Sequence, residues 1–214
     1  MRKIFFAIAL IPLLSIGNMA MAVEGWVVGL SAGQLGAYAV GSVTEDGPVA
    51  NKEDHSESGA FYDDVGSIFV EADLGRVSLG VDVIFSKVAT PENKNIKNGS
   101  TNYASAEFSD IITMYGTVDV IFGLYLKAGL ISMNVETTER MNTDSSGSVV
   151  GDENVNGYTA GVGYKYETDG GLQFRIEALA ASYDAMSATG SNGSSYAVND
   201  MLSARGHISI AKTF

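Results

Sequence analysis

Residues 157–180, GYTAGVGYKYETDGGLQFRIEALA, divide into two runs in which apolar and polar side chains alternate with a period of two. The runs flank a breaker sequence at residues 168–171, so the stretch predicts a β-hairpin closed by a tight turn. Because successive strand side chains point to opposite faces, one face of the hairpin is wholly apolar and the other carries charges of both signs. Such a hairpin suits either a soluble sandwich or a transmembrane barrel, whose apolar face meets lipid.

The N-terminus indicates export. Residues 1–22 combine Arg2 and Lys3 with an apolar run and end in a small-residue cleavage motif at residues 20–22. This pattern is typical of a cleaved secretory signal peptide, and the apolar run is too short to cross a bilayer permanently. We therefore predict a signal peptide at residues 1–22 and a single mature domain at residues 23–214. A soluble periplasmic or secreted protein would carry the same signal.

The composition excludes several kinds of site. The chain of 214 residues has 25 glycines, 3 prolines and no cysteine. Without cysteine it has no disulfide, no thiol nucleophile and no thiolate metal ligand. Its net charge of −12 argues against nucleic acid as a partner, because phosphate binding needs clustered Lys and Arg. We predict no cofactor.

The same alternation recurs along the rest of the mature chain and predicts eight strands in all. They are joined alternately by three short turns and by four long polar loops, at residues 44–64, 89–104, 136–156 and 187–196. This order of connections is typical of a spanning barrel with short periplasmic turns and longer external loops. We predict an all-β fold, an antiparallel up-and-down barrel of eight strands in the bacterial outer membrane.

The fourth strand, in residues 104–118, permits two registers. Either its even-numbered apolar residues or its odd-numbered ones face lipid. We choose the register that points Phe108 and Ile112 outward, which points Glu107 and Ser109 inward.

The mature chain resembles the OmpA-like and opacity-type family of eight-stranded outer-membrane barrels. The resemblance rests on LYLKAGLISMNVE at residues 124–136, on the GYTAGVGYKY strand, on FRIEALAASYD at residues 174–184, and on a final strand that ends in phenylalanine. It implies a porin-like or surface-antigen type of protein, a monomer in contact with outer-membrane lipids and lipopolysaccharide.

The resemblance also implies a partner for the last strand. In that family a terminal phenylalanine and alternate apolar residues before it form the recognition signal for the barrel-assembly machinery. This role falls to Ile208, Ile210 and Phe214, while Lys212 stands where an apolar or aromatic residue is usual.

Charged side chains on the predicted inward faces form the candidate site. A barrel of eight strands is wide enough only for side chains to fill it, and an unpaired buried charge is costly. We therefore expect Arg175 and Arg205 to bridge carboxylates. The predicted lumen ion-pair network comprises Glu71, Asp82, Glu107, Lys127, Lys165, Arg175, Glu177 and Arg205. The Arg175-x-Glu177 pair resembles the charged strand of the family, in which interior pairs set a narrow gate.

These features favour a structural, surface-exposed barrel that is not an enzyme. One alternative is a narrow pore of low conductance, and another is a soluble secreted barrel with a ligand cavity. A third is a lipid A hydrolase in which His207 activates Ser209, as in outer-membrane deacylases. Because this pair faces the lumen away from the outer leaflet, a hydrogen-bonded interior histidine is the preferred interpretation.

Acidic residues are concentrated in the predicted loops. Asp152, Glu153 and the cluster at residues 53–57, with His55, provide oxygen and nitrogen ligands, but no spacing matches a calcium-binding loop. We expect solvated loops and no metal site. Such loops would repel anionic lipopolysaccharide unless divalent cations bridge the two.

Overall fold

The computed structural model describes residues 23–44, 54–97, 100–141, 149–189 and 195–214, so the predicted signal peptide lies outside the described residues. Within these parts of the chain, no helix is long and apolar enough to cross a membrane. The described elements are strands, with the bounds β1 (Gly25–Thr44), β2 (Asp54–Asp73), β3 (Val77–Ile84), β4 (Val88–Ala89), β5 (Asn93–Lys97), β6 (Ser100–Ile121), β7 (Leu124–Met141), β8 (Val149–Glu167), β9 (Leu172–Tyr183), β10 (Met186–Thr189) and β11 (Ser195–Thr213).

Antiparallel pairing closes these strands into a barrel. The order around the wall is β1-β2-β3-β6-β7-β8-β9-β11, and β11 pairs back with β1. The short strands β4 and β5 pair with β6, and β10 pairs with β11, so they extend existing hairpins. The predicted antiparallel barrel of eight strands is therefore confirmed. The end of the barrel that carries its short turns is called the periplasmic end here, because short turns face the periplasm in bacterial outer-membrane barrels.

The half of the barrel nearest the short turns has an apolar outer surface. On the hairpin of β8 and β9, four side chains are exposed on the outward face, as the alternation predicts: Tyr158, Tyr164, Phe174 and Ile176. Leu30, Ile68, Leu79, Leu126 and Ile208 continue this surface on other strands. A closed band of outward apolar side chains is the lipid-facing belt of a transmembrane barrel.

The strands are longer than the membrane requires. β1 and β2 have 20 residues each. At about 3.3 Å per residue and a tilt of about 40°, such strands rise roughly 50 Å, whereas the hydrocarbon core is about 30 Å thick. The predicted loops are too long. Strands occupy residues 54–64, 93–97, 100–104, 136–141, 149–156, 187–189 and 195–196 of those polar stretches. Polar outward residues mark where lipid ends, while backbone pairing continues into water.

Above the belt the polarity of the two faces is inverted. Polar pairs lie outside, such as Gln34 with Asp64 at 3.2 Å and Asn134 with Asp110 at 2.9 Å. Inside, the described residues form an apolar cluster, here called the apolar plug: Leu35, Val65, Ile84, Val88, Phe108, Ile111, Ile131, Met133, Val135, Val155, Ala181, Tyr183 and Met201. The external part of the barrel is therefore built like a soluble β-barrel with a packed core.

A bulge in β6 corrects the predicted register of this strand. The pairing of β6 with β7 shifts between Ser109 and Ile112, and Asp110 has a φ of 51°. An extra residue on one strand reverses the facing of everything beyond it. Below the bulge the predicted facing holds, but Phe108 points inward and is 7% exposed. Glu107 consequently points outward and not into the lumen.

Phe61 of β2 stacks on Phe108 across the apolar plug, with ring centroids 5.4 Å apart and an interplanar angle of 10°. At this level the described residues show β2 paired with β1, while its pairing with β3 covers only Ser67 to Asp73. The stacked rings therefore join two external hairpins that have no backbone pairing there.

Replacing Phe61 with alanine is expected to loosen the external hairpins, because the aromatic contact between them is lost. Limited proteolysis of intact cells should cut this variant faster than the wild type, and the membrane-embedded barrel should remain protected. Tyr62→Ala is the matched control, since Tyr62 points outward and is largely exposed. Equal cleavage rates for Phe61→Ala and Tyr62→Ala would contradict the assigned role of the stack.

Candidate functional site in the barrel lumen

Arg175 of β9 and Glu71 of β2 form a buried bidentate ion pair across the lumen. Both Nη1–Oε1 and Nη2–Oε2 distances are 2.7 Å, and the side chains are 4% and 1% exposed. The Tyr115 hydroxyl donates to Glu71 at 2.8 Å, and Arg175 Nε donates to Gln173 at 2.9 Å. The guanidinium lies 5.0 Å from the ring centroid of Phe69. Pairing and hydrogen bonding together offset the loss of water around both charges.

Glu177 of β9 is the second centre of the network and contacts three donors. The Tyr125 hydroxyl donates to Glu177 at 2.6 Å, and Lys127 Nζ lies 3.2 and 3.1 Å from its two oxygens. His207 Nε2 contacts Glu177 Oε2. Lys127 Nζ also lies 3.8 Å from the ring centroid of Tyr115, which adds a cation–π contact. These contacts hold the Lys127 ammonium between Tyr115 of β6 and Glu177 of β9.

Arg205 of β11 and Asp82 of β3 form the third pair, at 2.5 Å. Arg205 Nη2 also donates to Ser67 Oγ at 2.7 Å. Among the described residues, Arg205 Nε has no hydrogen-bond partner. A cavity of about 20 Å³ borders Arg205, Thr113 and Ser203, and this volume is enough for one water molecule.

The buried charges of the lumen balance. The charged members are the carboxylates Glu71, Asp82 and Glu177 and the cations Lys127, Arg175 and Arg205. In this layer the three carboxylates offset the three cations. Such a layer fills the lumen without requiring ions from solution.

Tyr115 and Tyr125 reach the network because a glycine stands directly opposite each. Tyr125 pairs with Gly163 and Tyr115 pairs with Gly80. A Cβ at Gly163 would lie 2.3 Å from Tyr125 Cζ, and one at Gly80 would lie 2.6 Å from Tyr115 Cζ. Neither tyrosine is among the predicted network residues. An inward tyrosine opposite an inward glycine is the signal that identifies them.

Two of the eight predicted network residues lie elsewhere. Lys165 pairs with Asp119 at 2.7 Å near the periplasmic end, where both are partly exposed. Glu107 pairs with Lys87 on the outer surface, because the bulge in β6 turns it away from the lumen. The other six residues meet in the three clusters described above.

His207 and Ser209 make their hydrogen bonds with different partners. Both side chains are buried and point inward. His207 contacts Glu177, whereas Ser209 Oγ donates to Ser31 Oγ at 3.1 Å. His207 and Ser209, considered above as a base and a nucleophile, therefore contact different residues of the lumen.

The residues assigned to the assembly signal lie on the outer face of the last strand. Ile208, Ile210 and Phe214 are exposed there. Lys212 occupies the same face, and its ammonium contacts the Gly170 carbonyl in the β8–β9 turn. Recognition by the assembly machinery stays a prediction.

No group of three or more His, Asp or Glu side chains that could hold a metal occurs among the described residues. The predicted acidic cluster at residues 53–57 and Asp152 lie outside the residues whose side chains are described.

Comparison with known proteins identifies the class through the fold. No protein-family model matches the chain, and no curated protein matches its sequence. The outer-membrane protease OmpT of Escherichia coli is similar with a TM-score of 0.53 and 9% identity, over 90% of this chain and 97% of that one. Neisserial surface protein A gives a TM-score of 0.38 and 14% identity, over 88% and 97% of the two chains. Ail of Yersinia pestis, in complex with the heparin analogue sucrose octasulfate, gives 0.43 and 12%, over 89% and 99%.

The protein is a barrel of the bacterial outer-membrane type. A closed antiparallel wall, an apolar outer belt and a polar lumen define this class, and the fold similarity to OmpT agrees with it. The predicted resemblance to eight-stranded outer-membrane barrels is thereby confirmed at the level of fold. A barrel of this class lies in contact with membrane lipid.

Proposed function

We propose that this protein is a structural, surface-exposed barrel whose lumen does not conduct and which performs no catalysis. The observation that carries this proposal is the filling of the lumen by two unlike layers. The lower layer is the balanced network around Arg175, Glu177 and Arg205. The upper layer is the apolar plug. An ion that crossed the barrel would have to pass both, and the side chains of the plug are apolar except for the Tyr183 hydroxyl, which bonds to Ser203.

The two layers distinguish this function from that of a gated pore. A gate built from ion pairs opens when the pairs exchange partners, and it then needs a wet passage above and below. Here the external side of the network is packed with Leu35, Ile111 and Met133. Rearrangement of the charges alone leaves this packing in place.

Planar-bilayer recording tests the proposal. The wild type and the variant Glu71→Ala/Arg175→Ala are both expected to show no steady conductance, because the apolar plug remains in each. Faster migration of the unheated protein on a gel verifies that the variant is folded. Stable openings of the wild type would refute the proposal, and openings of the variant alone would assign a gate to the ion pairs.

The external hairpins are the part of such a barrel that partners can reach. In the proposed role the barrel anchors them and the apolar plug fixes their spacing. His207 and Ser209 take a packing role here, which their separate contacts with Glu177 and Ser31 support. Altered acylation of lipid A in cells carrying Ser209→Ala, detected by mass spectrometry, would count against it.

A further inference from the structure

The turn between β6 and β7 holds apolar side chains in the open at the periplasmic end. It consists of Phe122 and Gly123, with φ values of 49° and 84°. Two positive φ values define the type I′ hairpin turn, in which Asn and Gly are favoured. A bulky residue in this conformation is strained. Phe122 is nevertheless 89% exposed, and the preceding Val120 and Ile121 are also exposed.

A groove of about 360 Å³ lies beside this turn. It is lined by residues 120–124 and by the charged side chains of Arg76, Asp119, Lys165 and Glu167. Lys165 neutralises Asp119. Arg76 makes one long hydrogen bond, 3.4 Å to the Asp119 carbonyl, and no ion pair with a carboxylate of the described residues. Most of its guanidinium donors are therefore available to an anion.

The groove adjoins the lipid-facing belt at Leu124, which lines the groove and is exposed on the outward face. Val118 on β6 and Leu124 and Leu126 on β7 are exposed on the outward face immediately above the turn. The belt ends here, at the level where headgroups of the inner leaflet begin. A cation beside exposed apolar side chains at this depth matches a molecule that has a phosphate at one end and acyl chains at the other.

We propose that this groove binds a phospholipid of the inner leaflet. Arg76 holds the phosphate, and the glycerol and acyl chains lie along Phe122 and Leu124. The exposed aromatic ring then rests at the boundary between headgroups and acyl chains, where aromatic side chains are favoured. Binding of this lipid gives the strained turn a function that a polar Asn-Gly turn could not supply.

Native mass spectrometry of the protein extracted in mild detergent tests the site. The protein is mixed with phosphatidylethanolamine or with diacylglycerol of the same chains, and retained lipid is counted. We expect retention of the phospholipid over diacylglycerol. Arg76→Gln should lower retention about threefold, the size expected for an exposed charge contact. Lys212→Gln, at the same end but outside the groove, should leave it unchanged.

Phe122→Asn separates binding from folding. Asparagine adopts the positive φ readily, so this variant should be at least as resistant to unfolding as the wild type while it retains less phospholipid. The proposal is overturned if diacylglycerol is retained equally, or if Arg76→Gln and Lys212→Gln behave alike. It also fails if Arg76→Gln keeps the lipid but loses a co-purifying periplasmic protein, since the occupant is then a protein.

Discussion

Replacing Glu71 with glutamine is expected to lower the free energy of unfolding of the barrel by about 3–5 kcal/mol. Glu71 is buried and accepts two hydrogen bonds from the Arg175 guanidinium and one from the Tyr115 hydroxyl. The substitution keeps the shape but leaves the Arg175 charge without its counter-charge in the closed lumen. Urea unfolding in phospholipid vesicles, followed by the fluorescence of the single tryptophan Trp26, measures the change.

Two further variants make this test specific. Glu107→Gln breaks the outer pair with Lys87, whose side chains are 37% and 68% exposed, so its effect should stay below about 1 kcal/mol. Glu71→Leu combined with Arg175→Leu removes both charges and should regain much of the stability lost in the single variant. If Glu71→Gln were no more harmful than Glu107→Gln, the buried pair would not contribute to stability.

Gly163→Val is expected to reduce folding sharply. A Cβ at this position would lie 2.3 Å from Tyr125 Cζ, so the ring would have to leave its site and break its 2.6 Å hydrogen bond to Glu177. Overpacking and the lost hydrogen bond together should cost about 3 kcal/mol or more. The fraction of folded barrel after refolding, measured by gel migration without heating, reports the effect.

Gly206→Val provides the matched control, because nothing lies within 4 Å of a Cβ there and the side chain would enter lipid. This variant should fold like the wild type. Adding Tyr125→Ala to Gly163→Val should restore part of the folded fraction, since the clash disappears. Equal folding of Gly163→Val and Gly206→Val would show that the lumen accommodates the valine without using the space of Tyr125.

The sequence predicts the lower half of the barrel well, because lipid imposes one rule on every strand there. Each outward residue must be apolar, so the period of two alone assigns Ile176 and Ile208 to lipid and Arg175 to the lumen. The alternation also places breakers such as residues 168–171 at the turns. These are local properties of the chain and require no knowledge of partners.

The upper half follows a different rule that the sequence conceals. Outside lipid both polar and apolar residues can face outward, so the hydrophilic stretch that begins β2 has the composition of a loop. The bulge at Asp110 adds one residue to β6, and the composition of the strand does not reveal it. The prediction for the faces of Phe108 and Glu107 is wrong for this reason. Partner choice is also hidden, because several registers could pair Arg175 with a carboxylate and only the closed sheet selects Glu71.

The long-range character of the buried pairs has a consequence for biogenesis. Arg175 and Glu71 are 104 positions apart, and Arg205 and Asp82 are 123 positions apart. Until the first and last strands meet, Arg175 and Arg205 lack the carboxylates of Glu71 and Asp82, which lie on β2 and β3. A closure in the wrong register would strand them inside the wall, with a penalty of several kcal/mol each. The ion pairs that fill the finished barrel therefore also disfavour closure of the sheet in a wrong register.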